Sequence, residues 1–318
     1  MKKGFVLLFV VSFLLTGSLA FANGASEEAE EGKFRVAVSL PPANNSWQAK
    51  LLDSVLEEAS KDTDKFSFTV KNAVDDADQL NMLQTFKGGD YDMIMVLPGN
   101  GTLMTPICEE IYRSGTKLFV IDRPIEGDQY TVLLAGDNYE CGVNAAHYIG
   151  DRLGGKGDIV ALHSYTGIPI DVQRFNGFQE TLAAEYPGIN ILVEGDGEFN
   201  QEAGLKAMSD ILPAYPYIDA VYTQDDDTAV GVLTAIENAN RTDIQFVTGM
   251  GGAKTAYQMM SDKNPLYGAS MSYFPTMGGD AVILAKEILL GVDYQKDNIS
   301  PSFIVTSENV AQFLDKAY

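Results

Sequence analysis

Several short clusters in this chain gather side chains able to bind or react. They are Asn44-Asn45-Ser46-Trp47, Asp122-Arg123, His163-Ser164-Tyr165, Arg174, Phe199, Asp225-Asp226-Asp227, Gly249-Met250-Gly251-Gly252 and Ser272-Tyr273. Aromatic faces, carboxylates, carboxamides and guanidinium groups dominate them. That mixture suits a polyhydroxylated ligand, whose C–H face packs on an aromatic plane while its hydroxyls need both donors and acceptors. Asp and Asn accept from hydroxyls, and Arg donates several hydrogen bonds in a fixed fork. Each cluster also has a plainer reading. Trp47, Tyr165 and Phe199 could pack in a core. Asp122-Arg123 could be a surface pair before Pro124, and Arg174 a surface cation. The aspartates could cap a helix; one of the three is expected in a cleft and the other two at the helix start. Their convergence counts for more than any single member.

Catalytic alternatives find less support. Gly249-Met250-Gly251-Gly252-Ala253-Lys254-Thr255 resembles a phosphate loop, but Gly and Lys are not adjacent as that pattern requires. There is no G-x-S-x-G elbow and no Cys–His pairing. Carboxylates are numerous enough to allow a glycosidase-like pair, yet nothing selects one. The histidines are His147 and His163, with no C-x-x-C nearby, so no metal site and no cofactor are expected. Cys108 and Cys141 are the only cysteines. Cys108 shares helical spacing with Met104 and Ile111, and both thiols are read as unpaired core groups.

The elements that must position these clusters follow from hydropathy. Candidate strands are 34–40, 66–71, 93–97, 117–121, 158–162, 190–194, 220–223, 245–248 and 269–272, with a further extended segment near Thr131–Asn138. Helical stretches at 45–61, 76–88, 138–153, 170–185, 201–212, 226–238 and 274–290 separate them. In the first of these, Leu51, Leu52, Val55, Leu56 and Ala59 form one apolar stripe. Such alternation predicts an α/β fold of parallel sheets covered on both faces. There are too many strands for one tidy sheet, so two similar lobes are expected: 34–136 with about 273–304, and 137–272 with about 305–318. The chemical clusters each follow a predicted strand, where open α/β sheets bind their ligands. Two facing lobes would turn those edges into a cleft.

The N-terminus reads as an export signal. Lys2 and Lys3 precede an apolar run from Phe5 to Leu15, and Ala20-Phe21-Ala22 offers a small-residue cleavage site. The run is short for a bilayer span, and no cysteine for lipid attachment follows it. Residues 1–22 are thus expected to be a cleaved signal peptide, 23–33 a flexible acidic leader, and the mature chain free in the periplasm. Of 318 residues 46% are hydrophobic, enough for substantial cores. The formal net charge is −22, and loss of Lys2 and Lys3 takes it to −24. Such a surface repels phosphate backbones and anionic lipid, so no nucleic-acid partner is expected.

Taken in order, VAVSLPPANNSW, LFVIDRPI, AGDNYECGVNAAHYI, QRFNGFQETL, EFNQEAGLKAM and VYTQDDDTAVGVL resemble the ribose- and galactose-type periplasmic binding proteins of ABC transporters, from about Phe34 to Val305. The resemblance implies hinged lobes that close on a sugar and present a surface to a permease. It implies Asn45 and Trp47 in one pocket wall, Asp122 and Arg123 as the hydroxyl-bonding pair, and Arg174 as the pocket arginine. Phe199 falls on an aromatic wall, Tyr165 on a position often apolar, Asp225 where many relatives have Asn, and Ser272 or Tyr273 on a polar hinge position. Two departures stand out. The family's G-[FY]-D-[GN] turn is here Gly249-Met250-Gly251-Gly252, without its acid, and Leu97 replaces a pocket Asn. These argue against assuming ribose; a pentose, hexose, polyol, deoxy-sugar or nucleoside remains open. A monomeric, non-enzymatic importer subunit is the leading expectation. A sensor docking on a chemoreceptor, a nucleoside-binding subunit and a secreted hydrolase are the alternatives.

Overall fold

The computed structural model describes residues 32–318; the expected signal peptide and nearly all of the acidic leader lie outside the described residues. Strand and helix alternate from the start: β1 (Phe34–Leu40), α1 (Ser46–Ala59), β2 (Phe66–Asn72), α2 (Asp76–Lys87), β3 (Met93–Val96), α3 (Gly101–Arg113), β4 (Lys117–Ile121) and β5 (Val132–Gly136). A second series follows with α4 (Asn138–Arg152), β6 (Lys156–His163), α5 (Pro169–Glu185), β7 (Gly188–Asp196), α6 (Gln201–Ile211), β8 (Ala220–Thr223) and α7 (Asp226–Asn238). It continues through β9 (Phe246–Gly251), α8 (Lys254–Ser261), β10 (Tyr267–Ser272), α9 (Met277–Leu289), β11 (Asp297–Ser300) and β12 (Ile304–Val305).

The strands form two sheets, β11-β5-β4-β3-β1-β2 and β12-β10-β9-β8-β6-β7. The first is parallel throughout, and in the second only β12 runs antiparallel, against β10. Period-two side-chain alternation divides each central strand between two layers. Val36, Val38, Met93, Met95, Phe119 and Ile121 join one core cluster, while Ala37, Ile94, Val96, Leu118 and Val120 join another on the opposite face. Both faces are therefore covered, which is why these strands read as unbroken apolar runs. Among the described residues no helix is long and apolar enough to cross a membrane.

The strand order reverses between β1 and β3 in the first sheet and between β6 and β8 in the second. A reversal splays the flanking loops and leaves a crevice at the carboxyl ends. The chain passes between the sheets after β5, after β10, and between β11 and β12. These crossings are tied together: Asp137 N–H donates to Ser300 O at 3.0 Å, and Ser272 N–H to Phe303 O at 2.9 Å. Gly136 permits this, because a Cβ there would drive into the Tyr273 ring.

Some elements differ from the sequence reading. Helix α3 escaped assignment because Pro106 lies inside it, although Met104, Cys108 and Ile111 do share its buried face. Helix α8 has only 8 residues, too few for a clear period. Strand β11 is largely exposed and polar, and is fixed by its register on β5 rather than by its own residues. Strand β9 runs through Gly251, so Met250 and Gly251 sit at a strand end and not in a turn. Cys108 and Cys141 are buried and unpaired.

A candidate ligand cleft between the two sheets

Between the carboxyl edges of the two sheets lies a cleft of about 1300 Å³. Single small-molecule pockets usually run to ~300–1,000 Å³, so this one has ample room for a small ligand. Asn45, Trp47, Asp122 and Arg123 line it from the first sheet, with Tyr165, Arg174, Phe199, Asp225 and Met250 from the second, and Tyr273 at a crossing.

On the first-sheet side, Asn45 caps α1, its side-chain oxygen accepting from Gln48 N–H at 2.8 Å. This fixes the first helical turn and with it Trp47, whose Nε1–H donates to Tyr273 O at 2.8 Å. That hydrogen bond fixes the indole at the cleft wall. Asp122 directly follows β4 with φ +62, a left-handed conformation that Asp tolerates better than most residues. Its own N–H donates to Leu134 O at 2.7 Å, and its carboxylate accepts from the Tyr273 hydroxyl at 2.6 Å. Arg123 donates through one terminal nitrogen to Gly99 O at 3.0 Å. Its Nε is 3.7 Å from Asp122, beyond hydrogen-bond reach, and is buried without a partner. A buried guanidinium donor left without a partner is costly.

On the second-sheet side Arg174 is 5% exposed. It donates to Asn138 Oδ1 at 2.9 Å and to Gln224 O at 2.7 Å, with its guanidinium 4.9 Å from the Tyr273 ring centroid. Asn138 in turn donates to the Tyr273 hydroxyl at 3.3 Å. One polar chain therefore runs Asp122–Tyr273–Asn138–Arg174 from the first sheet, through a crossing, into the second. Burial, then the neighbouring Asp122 carboxylate, pushes the Tyr273 phenol well above its ordinary value, so it stays a donor. Tyr165 and Phe199 meet edge to face with centroids 5.8 Å apart.

The aspartate triplet opens α7 as expected, but two of its members, Asp225 and Asp227, line the cleft where one was expected. Asp225 both caps α7, accepting from Thr228 N–H at 2.7 Å, and lines the cleft. Burial raises its carboxyl from 3.8 to about 7, with Asp227 and Asp226 adding to the rise against the opposing Thr228 hydrogen bond. Asp226 is fully buried and accepts from Tyr267, Ser270, Gly252 N–H and Ala253 N–H, pinning the turn after β9. Asp227 lines the rim and accepts from Ser46 Oγ at 2.8 Å, a hydrogen bond that reaches across the cleft.

Ser272 is the exception among the predicted residues, because it does not line the cleft. Its hydroxyl accepts from Phe303 N–H at 2.8 Å and so joins two crossings to each other. Its neighbour Tyr273 takes the cleft position. Leu97 also points away, into the core cluster with Val38 and Trp47. The sequence reading missed Asn138, Asp227 and Tyr318 as cleft residues. Asn138 follows a strand end and was open to the same rule as the others, whereas Tyr318 has no local signal. Among the described residues no group of three or more His, Cys, Asp or Glu could hold a metal ion.

Two parallel α/β layers facing each other across a polar and aromatic cleft, tied by crossing segments, define a two-lobed binding protein. Residues 36–293 match the periplasmic binding protein domain family, and the chain belongs to it. It is 27% identical over 313 residues to the ribose import binding protein RbsB of Bacillus subtilis, spanning 97% of this chain and all of that one. It is 26% identical to a D-apiose import binding protein of Actinobacillus succinogenes, covering 76% of this chain and 77% of the relative. Among solved structures, a Bacillus halodurans ABC transporter solute-binding protein with bound myo-inositol superimposes with a TM-score of 0.82 at 23% identity, over 91% of this chain and 99% of that one. The fructose-binding periplasmic domain of a hybrid two-component system superimposes at 0.78 and 28% identity, over 88% and 93%.

Proposed function

We propose that this protein is the extracytoplasmic solute-binding subunit of an ABC importer, and that it captures a sugar or sugar-like polyol between its lobes. The observation that carries the ligand class is the gathering of aromatic faces, carboxylates, carboxamides and two arginines in one cleft. A neutral polyol supplies hydroxyls for those polar groups and an apolar face for Trp47. Asn45, Asp122, Arg174 and Asp225 would share the hydroxyls, while Tyr165, Phe199 and Met250 bound the far wall. Family membership and the import binding proteins of ribose and apiose among its relatives support the transport role.

The mechanism is capture by closure. A ligand bridging both walls makes contacts that only the closed arrangement offers, and so shifts the population toward it. The crossing segments flex while the lobes move as units. No step breaks a bond, and no turnover is expected. A thermal-shift screen of the purified protein against pentoses, hexoses, polyols, nucleosides and amino acids tests the assignment, because a ligand that binds only the folded state raises its Tm. A shift with a sugar or polyol supports it; shifts only with nucleosides or amino acids overturn the ligand class. The likeness to a sensor-borne fructose-binding domain supports a second reading, a ligand sensor docking on a membrane receptor. Deletion of the gene would then abolish the response to the ligand while leaving its uptake intact.

A further inference from the structure

The second-sheet wall has a gap in its own strand. Gly251, the last residue of β9, has φ +122, lines the cleft and carries no side chain. A Cβ built on it would sit 2.6 Å from the Tyr318 hydroxyl. That hydroxyl therefore occupies the space into which a side chain at position 251 would grow.

Tyr318 is held there firmly. Its N–H donates to Gly252 O at 3.3 Å and its carbonyl accepts from Lys254 N–H at 2.6 Å, which fastens its backbone to the turn after β9. Its ring packs against the apolar core of the second sheet. Asp226, which pins the same turn through Gly252 and Ala253, fixes the platform from below.

Of the other buried tyrosine hydroxyls here, two are already committed, while those of Tyr222 and Tyr257 have no partner but do not line the cleft. Tyr267 donates to Asp226 at 2.7 Å, and Tyr273 donates to Asp122 at 2.6 Å. The Tyr318 hydroxyl has only longer-range charge neighbours: Asp225, Asp226 and Asp227 on one hand, Arg174 on the other. Burial and these carboxylates keep the phenol protonated, well above its ordinary range.

We propose that the Tyr318 hydroxyl is a ligand-contacting, specificity-determining group, which grips a hydroxyl or ring oxygen of the polyol in place of a side chain from β9. The inference rests on the ligand class proposed above. A phenol both donates one hydrogen bond and accepts others, whereas a carboxylate at this place could only accept. The wall then offers Asp225 as acceptor with Tyr318 as donor beside it, a pairing that fits a vicinal hydroxyl and oxygen.

Isothermal titration with D-ribose, L-arabinose and myo-inositol, on the wild type and Tyr318→Phe, tests this. Phe keeps the ring packing and the backbone bonds, so a role confined to packing leaves affinity unchanged. The expected result is a five- to tenfold weaker Kd in Tyr318→Phe for each probe the wild type binds, roughly the worth of one hydrogen bond, with Tm unaltered. Equal affinity in the two proteins overturns the inference alone. No binding of any probe by the wild type overturns the proposed ligand class and this inference with it.

Discussion

The two walls of the cleft solve the same problem with different chemistry. The first-sheet wall is built on backbone: Asn45 caps α1, Trp47 is tied to a main-chain carbonyl, and Arg123 is clamped to Gly99 O. Only one buried donor there, Arg123 Nε, is left over. The second-sheet wall is built on side chains and richer in charge, with Arg174, Asp225 and Asp227 all lining it. One wall is fixed largely by main-chain partners; the other holds a carboxyl, Asp225, that titrates near neutrality. A hinged binder gains from this division, because a rigid shelf can receive the ligand while the second wall changes its charge and hydrogen bonding on closure.

Arg174→Ala should break the contrast most completely. It removes the guanidinium from Asn138, Gln224 and the Tyr273 ring at once and leaves buried acceptors unpaired. Binding should fall by about 100-fold or more, and stability by about 2–4 kcal/mol, as for other broken buried charge networks. Titration calorimetry and urea unfolding read the two effects separately. Trp47→Ala should cost the first wall its apolar face, weakening binding about ten- to a hundredfold while leaving the fold intact, since the partly buried indole sits at the rim of the core.

Asp225 sharpens the contrast through pH. Its folded pKa, about 7, is raised above its ordinary 3.8, so its stabilising contribution is complete below about pH 4 and is lost as pH rises through 7. The full loss is about 4 kcal/mol by linkage. Asp225→Asn should flatten this part of the stability profile between pH 4 and 8, measured by urea unfolding against the wild type. Ligand hydroxyls donating to the carboxylate favour its ionised form, so wild-type affinity should tighten from pH 6 to 8 with release of a proton on binding. Calorimetry in buffers of different ionisation enthalpy counts that proton. The smallest effect belongs to the rim. Ser46→Ala removes the hydrogen bond that Asp227 accepts across the cleft and should weaken binding only two- to fivefold, about 0.5–1 kcal/mol.

Much of this architecture could be read from the sequence because it follows local rules. Runs such as Phe34–Leu40 and Lys117–Ile121 are buried on both faces, so their apolar pattern coincides with the strand limits. The strand-end rule found Asn45, Asp122, Asp225 and Tyr273 because each directly follows, or caps the helix after, a strand. What was not legible depends on distant partners. Ser272 has the composition of a binding residue, but Phe303, far along the chain, claims its hydroxyl. The split of the aspartate triplet is set by Tyr267 and Ser270, which capture Asp226. Tyr318 enters the cleft only because its backbone docks on the turn after β9, a contact no period or motif encodes.

The central claim, that this cleft closes on a sugar-like polyol, is tested most directly by the fluorescence of Trp47, the only tryptophan in the chain. The account predicts a saturable change on titration with at least one sugar or polyol, no change with amino acids, and loss of the response in Arg174→Ala, whose mutated side chain lies on the opposite wall. A saturable calorimetric signal with such a ligand and an unchanged Trp47 emission would place binding elsewhere and contradict it.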